Sequence, residues 1–412
     1  MIKFNNKWLL FFLLSLGLVY CLIEASGNGD FLIYMWASGE LSKHLNIYDH
    51  KYLNDYSYYY SVLFAMLLKP FFYLSYYWVK LTWLMVNVGL FFHLAYLLTK
   101  TELVQVLHKK QKQLFYFASF VFAFRFFHEN IHHAQITILM LWTCIYGLYC
   151  IYHQRPIRGA FILAIGINIK LFPIVFLPYL IYRGFFKEVF FVLFFYLGLM
   201  FLPSLFIGHD YNISLIKSWW AIINPANTNH ILDVDERSFH GLSTLLSTLF
   251  VKNVPDLYAL PLPRNLFDVS LSVFVKILLV ARLLVIGLSM QFLKWPPFKK
   301  AKDQFSILME ISYILLAIPL IFPHQQHYAF LFIAPAFSLC VYFMVLNFKN
   351  LSLYKRRVFI ILLSFSFICS SLKLWLGAFN QYYEHYKILT YGALCLIPLM
   401  LWVSSLYKRI ES

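Results

Sequence analysis

The sequence predicts an all-α, polytopic membrane bundle of about 11–12 spans, and three observations predict it. Of 412 residues, 61% are hydrophobic and 13% are charged, against about 25% charged in a soluble domain. Apolar runs of roughly 20 residues, the length that a bilayer core demands, recur along the whole chain. The 34 Lys and Arg residues fall in short clusters between those runs, which is how cytoplasmic loops are composed. Residues 1–412 therefore read as a single integral membrane domain with no soluble domain attached. The formal charge of +16 does not point to nucleic acid, because no basic face with its own fold exists to bind it.

The first run, at about 8–24, follows Lys3 and Lys7. No small-x-small cleavage site closes it, so it reads as a retained helix with a cytoplasmic N-terminus. Further runs lie near 78–99, 114–127, 134–152, 159–182, 188–207, 266–293, 305–322, 326–347, 358–376 and 388–406. The 159–182 run is interrupted at Lys170 and Pro173 and is read as two half-helices that turn back at the outer surface. With these spans, Lys100 with Lys109, Lys110 and Lys112, the pair Arg155 and Arg158, and the pair Arg183 and Lys187 fall inside. The runs Lys294 to Lys302 and Lys349 to Arg357, and Lys408 with Arg409, fall there too. The outer side receives Asp30, Glu40, Asp49, Asp55, Asp210, Asp233, Asp235, Glu236, Asp256 and Glu384.

Residues 58–76 are apolar enough to span, but spanning would turn every later basic cluster outward. They are therefore expected to form an interfacial or re-entrant helix, with tyrosines and Lys69-Pro70 at headgroup level. Two long outer loops, 25–77 and 208–265, are expected to fold on the membrane surface and form the working face.

Chemistry is sought among the polar residues of that face. Asp30 follows the first helix in SGNGD. It reads as a general base for a hydroxyl nucleophile, or more plainly as a helix cap in a Gly-rich loop. Lys170, inside an apolar run, calls for a partner. A phosphate suits it, and snorkelling or an ion pair is the bland alternative. Arg282 carries the same argument more weakly. In FRFFHENIHHAQIT, Arg125 is suited to clamp a phosphate. His128, His132 and His133 form an H-x-x-x-H-H pattern that is read as hydrogen-bonded in preference to metal-binding. His324 and His327 follow Pro323 on the same outer side.

From about residue 25 to 340 the order of these features resembles glycosyltransferase family 87, the polyprenyl-phosphate-mannose-dependent mannosyltransferases among the C-type membrane glycosyltransferases. GDFLIYMWASGELSKHLNIYDH is similar to that family's acidic opening motif, with Asp30, Tyr34 and the pair Tyr48-Asp49. Tyr58-Tyr59-Tyr60-Ser61 stands where the family has an aromatic-Pro-Pro run, without its prolines, and Pro70 closes the segment. Ala134-Gln135-Ile136-Thr137 keeps the Gln of the family's Gly-Gln-x-Asn. Lys170 and Pro173 match Lys-x-x-Pro. Phe239-His240-Gly241-Leu242 corresponds loosely to Asn-Gln-Ser-Leu, and PHQQHY at 323–328 resembles Ser-Pro…His-His-Tyr.

The resemblance implies juxtamembrane helices in the first outer loop and an inverting hexosyl transfer with Asp30 as the catalytic carboxylate. Donor phosphate contacts are expected from Arg125, Lys170, His324 and His327, and substrate contacts from Tyr34, Tyr48, Gln135 and His240. The expected partners are a polyprenyl-phosphate sugar donor, mannose-like, and a glycan or lipid acceptor at the non-cytoplasmic face of a cell membrane. No resident cofactor or metal is expected. A di-iron desaturase or hydroxylase built on the histidines and a lipid-linked-sugar flippase or transporter are the rival readings.

Overall fold

The structure, a computed structural model, describes residues 6–411 apart from 53–55, 225–226, 228–229, 253, 257–258, 294–295 and 302. Lys3, Asp55, Lys294 and Lys302 of the charge pattern lie outside the described residues, as do the side chains of Lys7, Lys408 and Arg409.

The chain runs through α1 (Asn6–Ala25), α2 (Phe31–Ser42), α3 (Val62–Leu68), α4 (Tyr76–Thr99), the single turn α5 (Glu102–Gln105), α6 (Lys109–His132), α7 (Thr137–Tyr152), α8 (Pro156–Ile169), α9 (Phe176–Tyr182) and α10 (Phe186–Phe201). It continues through the turn α11 (Ser204–Ile207), α12 (His209–Ile223), α13 (Leu242–Phe250), α14 (Leu271–Gly287), α15 (Gln304–Ile321), α16 (Ala334–Asn347), α17 (Leu353–Ser371), α18 (Asn380–His385) and α19 (Ile388–Glu411). The described residues form no strand; a lone bridge pairs Phe239 with Gln326.

Seven stretches among the described residues are long and apolar enough to cross a bilayer: Tyr76–Thr99, Phe186–Ile207, Leu271–Gln291, Gln304–Ile321, His327–Asn347, Leu353–Leu374 and Ile388–Tyr407. The polytopic helical bundle is therefore as expected. The remaining expected runs take other forms for local reasons. The run at 114–127 lies within α6, a 24-residue helix with polar ends. The run at 134–152 begins only at Thr137 and yields a 16-residue helix. The run at 159–182 breaks where it was expected to. Lys170 takes extended backbone angles (φ −148°, ψ 125°) after α8, and a 3-10 turn, Phe172–Val175, carries Pro173 into α9.

The helical part of residues 58–76 is too short to cross a bilayer. Ser61 caps α3, its hydroxyl accepting the Phe64 N–H at 3.3 Å. The seven residues of α3 and the five-residue 3-10 turn after it cover about 20 Å, short of the roughly 30 Å of a bilayer core.

The chain divides into two compact units. The first comprises Met1–Tyr96, His128–Ile174 and Lys187–Asn224. Its tightest packing joins α7 and α8. A Cβ on Gly159 would fall 2.5 Å from the carbonyl oxygen of Gly147, so only glycine allows these backbones to approach so closely. The two long loops meet within this unit: Trp219 Nε1 on α12 donates to the Tyr59 carbonyl at 3.1 Å, and Asn46 Nδ2 donates to Ser218 Oγ at 3.0 Å.

The second unit comprises Leu97–Phe127, Val175–Phe186 and Pro225–Ser412. Arg183, which the sequence groups with Lys187 in a basic cluster, is fully buried here. Its side chain and that of Glu310 are each 0% exposed and ion-paired. Arg183 Nε donates to Glu310 Oε2 at 2.9 Å, and the Tyr179 hydroxyl donates to the same oxygen at 3.1 Å. Such a pair is retained only with close geometry and further hydrogen bonds, because both ions lose their water.

Candidate active site

The turn Ser26–Gly29 delivers Asp30 to the start of α2 with its backbone N–H donating to the His133 carbonyl at 3.0 Å. Asp30 stands at the N-cap position, yet its side chain makes no capping bond. Oδ2 instead accepts a hydrogen bond from Gln135 Nε2. The helix-cap reading is thereby set aside: this carboxylate is aimed at another segment of the chain. Gln135 Oε1 accepts from the Tyr34 hydroxyl at 3.2 Å, and the Tyr34 and Tyr60 hydroxyls lie 2.9 Å apart. Burial pushes the Asp30 carboxyl above the usual aspartate range, against the opposing pull of His133, the Gln135 hydrogen bond and the Lys170 charge. A half-buried carboxylate with raised proton affinity has the properties of a general base.

The antiparallel pair α7 and α8 explains why Gln135 and Lys170 meet Asp30. Gln135 lies two residues before α7, and Lys170 directly follows α8. The close packing at Gly159 brings these two ends to the same side. Lys170 Nζ lies 5.3 Å from the ring centre of Tyr60 and 4.6 Å from that of Phe172, so its ammonium rests on aromatic faces. Ser61 Oγ donates to Asn168 Oδ1 at 3.0 Å, and the Ser61 N–H donates to the Ile169 carbonyl at 3.3 Å. The Tyr-Tyr-Tyr-Ser run is thus fastened to the end of α8. Tyr48 is buried, and its hydroxyl donates to the Tyr60 carbonyl at 2.8 Å, which makes it a support for Tyr60.

Asp30, Tyr34, Gln135 and Lys170, expected from the sequence, are therefore brought together in the first unit, with Tyr48 supporting them. Each of the three histidines of the H-x-x-x-H-H pattern has a hydrogen-bond or ion-pair partner. His128 Nδ1 lies 2.5 Å from the Tyr20 hydroxyl, His132 Nδ1 lies 3.0 Å from Glu24, and His133 Nε2 lies 3.4 Å from Glu129.

Arg125, His240, His324 and His327 belong to the second unit. Arg125 is fully buried on α6; Nη1 donates to the Ser370 carbonyl and, at 3.1 Å, to the Tyr383 hydroxyl. His240 Nε2 lies 2.7 Å from Glu384 Oε2, and Lys373 Nζ lies 3.5 Å from Glu384 Oε1. Although burial opposes ionisation of Glu384, His240, His327 and Lys373 together hold its carboxyl well below the usual range.

His324 is engaged elsewhere. Its N–H donates to Asp233 at 3.0 Å, and its Nδ1 lies 2.9 Å from Asp233 Oδ1. Ser243 and Thr244 complete the hydrogen bonding of that buried carboxylate. His327 and Glu384 line a cavity of about 510 Å³ together with Glu236, Arg237, Lys373 and Asn380, a polar chamber large enough for a sugar or a phosphorylated headgroup.

Sequence reasoning missed Gly29 and Glu384 as site residues. Gly29 is buried against the His133 backbone: a Cβ there would fall 2.9 Å from the His133 carbonyl oxygen. The glycine directly before the acid in SGNGD was the available signal. Glu384 is 144 residues from His240, and nothing local in the sequence pairs them.

The sequence profile of glycosyltransferase family 87 matches residues 58–309, more than half of the chain. No curated protein and no solved structure matches it. With the helical membrane bundle and the profile in agreement, the chain belongs to glycosyltransferase family 87 and is a membrane glycosyltransferase.

Proposed function

We propose that this glycosyltransferase moves a mannose-like sugar from a polyprenyl-phosphate donor to an acceptor hydroxyl at the non-cytoplasmic face, with inversion at the anomeric carbon. The observation that carries the proposal is the Asp30 carboxylate, turned away from its own helix and held by Gln135 beside Lys170. Asp30 takes the proton of the acceptor hydroxyl as its oxygen bonds to the anomeric carbon. The bond from that carbon to the donor phosphate breaks, and the electron pair leaves with the polyprenyl phosphate. Lys170 stabilises the charge that grows on the departing phosphate. Phosphate is a good leaving group, so a strong general acid is unnecessary.

In the second unit the cavity lined by Lys373, Arg237 and His327 accepts an anionic or hydroxyl-rich end of a substrate. Arg125, bonded to Tyr383 beside the lining residue Glu384, adds positive charge there. His324 is spent on Asp233, whereas His327 lines the cavity. Tyr34 and Gln135 orient the substrate at Asp30. The basic clusters between the spans support an outward-facing site.

The test is transfer by the purified protein in proteoliposomes, offered a panel of labelled polyprenyl-phosphate sugars and nucleotide sugars. The expected result is transfer from a lipid-phosphate sugar alone, giving a product of inverted anomeric configuration. Transfer from a nucleotide sugar, or retained configuration, overturns the proposal.

A further inference from the structure

The turn that carries Asp30 and the turn that carries Gln135 are both irregular, and their contact depends on something rigid behind them. The residues behind them lie on α4. Lys80 is 0% exposed, and its Nζ donates to the carbonyls of Glu24 and Gly27 at 2.7 Å each. The last carbonyls of a helix lack intrahelical partners, and the last turn of α1 contains no basic residue of its own. The cap is therefore supplied by another helix, and it sits three residues before Asp30.

One turn further along the same face of α4, Trp83 Nε1 donates to the Ala134 carbonyl at 3.0 Å, directly before Gln135. Ala134 has a positive φ of 51°, a conformation that an alanine adopts only when held there. The Trp83 ring also stacks on Phe31, which follows Asp30, at 5.4 Å between centres. The two turns are joined where the Asp30 N–H meets the His133 carbonyl. Nothing about a spanning helix requires a buried ammonium in it, and removing one from water is costly.

Building on Asp30 as the base, we propose that Lys80 and Trp83 are positioning residues that set the Asp30–Gln135 contact, each from its own side. A reacting carboxylate must be held to within about 0.5 Å, and a displacement of about 1 Å costs up to roughly a hundredfold in rate. Loss of either clamp loosens the Gln135 hydrogen bond, which holds the Asp30 carboxyl down. The acid limb of the pH–rate profile then moves to higher pH.

The experiment compares Trp83→Phe, Lys80→Met and Asp30→Asn in proteoliposomes with a labelled polyprenyl-phosphate sugar, with rates normalised to monodisperse protein. Trp83→Phe leaves a smaller aromatic ring beside Phe31 and removes the indole N–H donor, so it remains informative should Lys80→Met fail to fold. The expected result is a fall in kcat of about tenfold for Trp83→Phe and about a hundredfold for Lys80→Met. Donor KM should stay within about twofold, and the acid limb should shift upward in both variants. Wild-type kcat and an unmoved limb in Trp83→Phe, with Asp30→Asn inactive, overturn the positioning role and leave Asp30 as the base. Activity surviving in Asp30→Asn overturns the assignment of the base itself, and the positioning role falls with it.

Discussion

Replacing Gly29 with alanine adds one methyl group next to the backbone of His133. The new Cβ would lie 2.9 Å from the carbonyl oxygen and 3.2 Å from the carbonyl carbon, where ordinary contact begins at 3.4 Å. Neither atom belongs to a side chain that can swing aside, so the turn must retreat by about 0.5 Å. That carbonyl also accepts the Asp30 N–H at 3.0 Å, so the retreat carries Asp30 away from Gln135. A shift of about 0.5 Å uses the whole positional tolerance of a catalytic group and predicts a fall in kcat of roughly tenfold to a hundredfold, with about 1–3 kcal/mol of lost stability from overpacking. Gly27→Ala is the matched control. It removes the same conformational freedom from the same turn, and its Cβ meets only the Glu24 carbonyl oxygen, at 3.7 Å. The assay is transfer from a labelled polyprenyl-phosphate sugar in proteoliposomes, with kcat and KM per folded molecule. Equal kcat in the two variants, within about twofold, would refute the link between the Gly29 approach and the placement of Asp30.

Other perturbations probe the remaining contacts. Lys170 lowers the proton affinity of Asp30, so Lys170→Met should raise the Asp30 pKa further. The acid limb of kcat then moves to higher pH as the rate falls, and an unmoved limb separates the two residues. His327→Ala, in the cavity wall, should raise the donor or acceptor KM severalfold with kcat nearly unchanged, and unchanged KM for both substrates removes it from binding. Arg183→Met and Glu310→Gln should each cost about 3–5 kcal/mol in equilibrium unfolding in mixed micelles, because each leaves a buried, unpaired group. The double variant Arg183→Met/Glu310→Gln should lose less than the sum, and strict additivity would show that the pair is not coupled.

Apolar run length made most of the bundle legible, since a bilayer leaves helices few alternatives. The break at Lys170 and Pro173 and the short helix at 58–76 were also legible, the first from a charge beside a proline and the second from the sidedness of basic clusters. Asp30 and Lys170 drew attention as charged residues beside or inside apolar runs, and Gln135 through the family's Gln-containing motif. The contacts that hold them were not legible. Lys80 and Trp83 sit in an ordinary apolar run, and only the packing of α4 against two turns gives them partners. Arg183 looked like one of many inner-surface charges, because its partner Glu310 lies 127 residues away. His240 and His324 differ in role for the same reason: Glu384 and Asp233 select between them across long sequence separations. Tyr48 suggested a substrate contact, but its hydroxyl is consumed by the Tyr60 backbone, which no local pattern announces.

A single substitution that changes one oxygen to nitrogen bears most directly on how transfer occurs. Asp30→Asn retains the shape of the side chain beside Gln135 and removes its capacity to take a proton. Single-turnover transfer from a labelled polyprenyl-phosphate sugar, measured on reconstituted Asp30→Asn and wild-type protein of equal thermal stability, should show a loss of about a thousandfold or more, within the range ascribed to general base catalysis. A rate within tenfold of wild type would contradict the assignment and require the proton acceptor to be sought elsewhere in the protein.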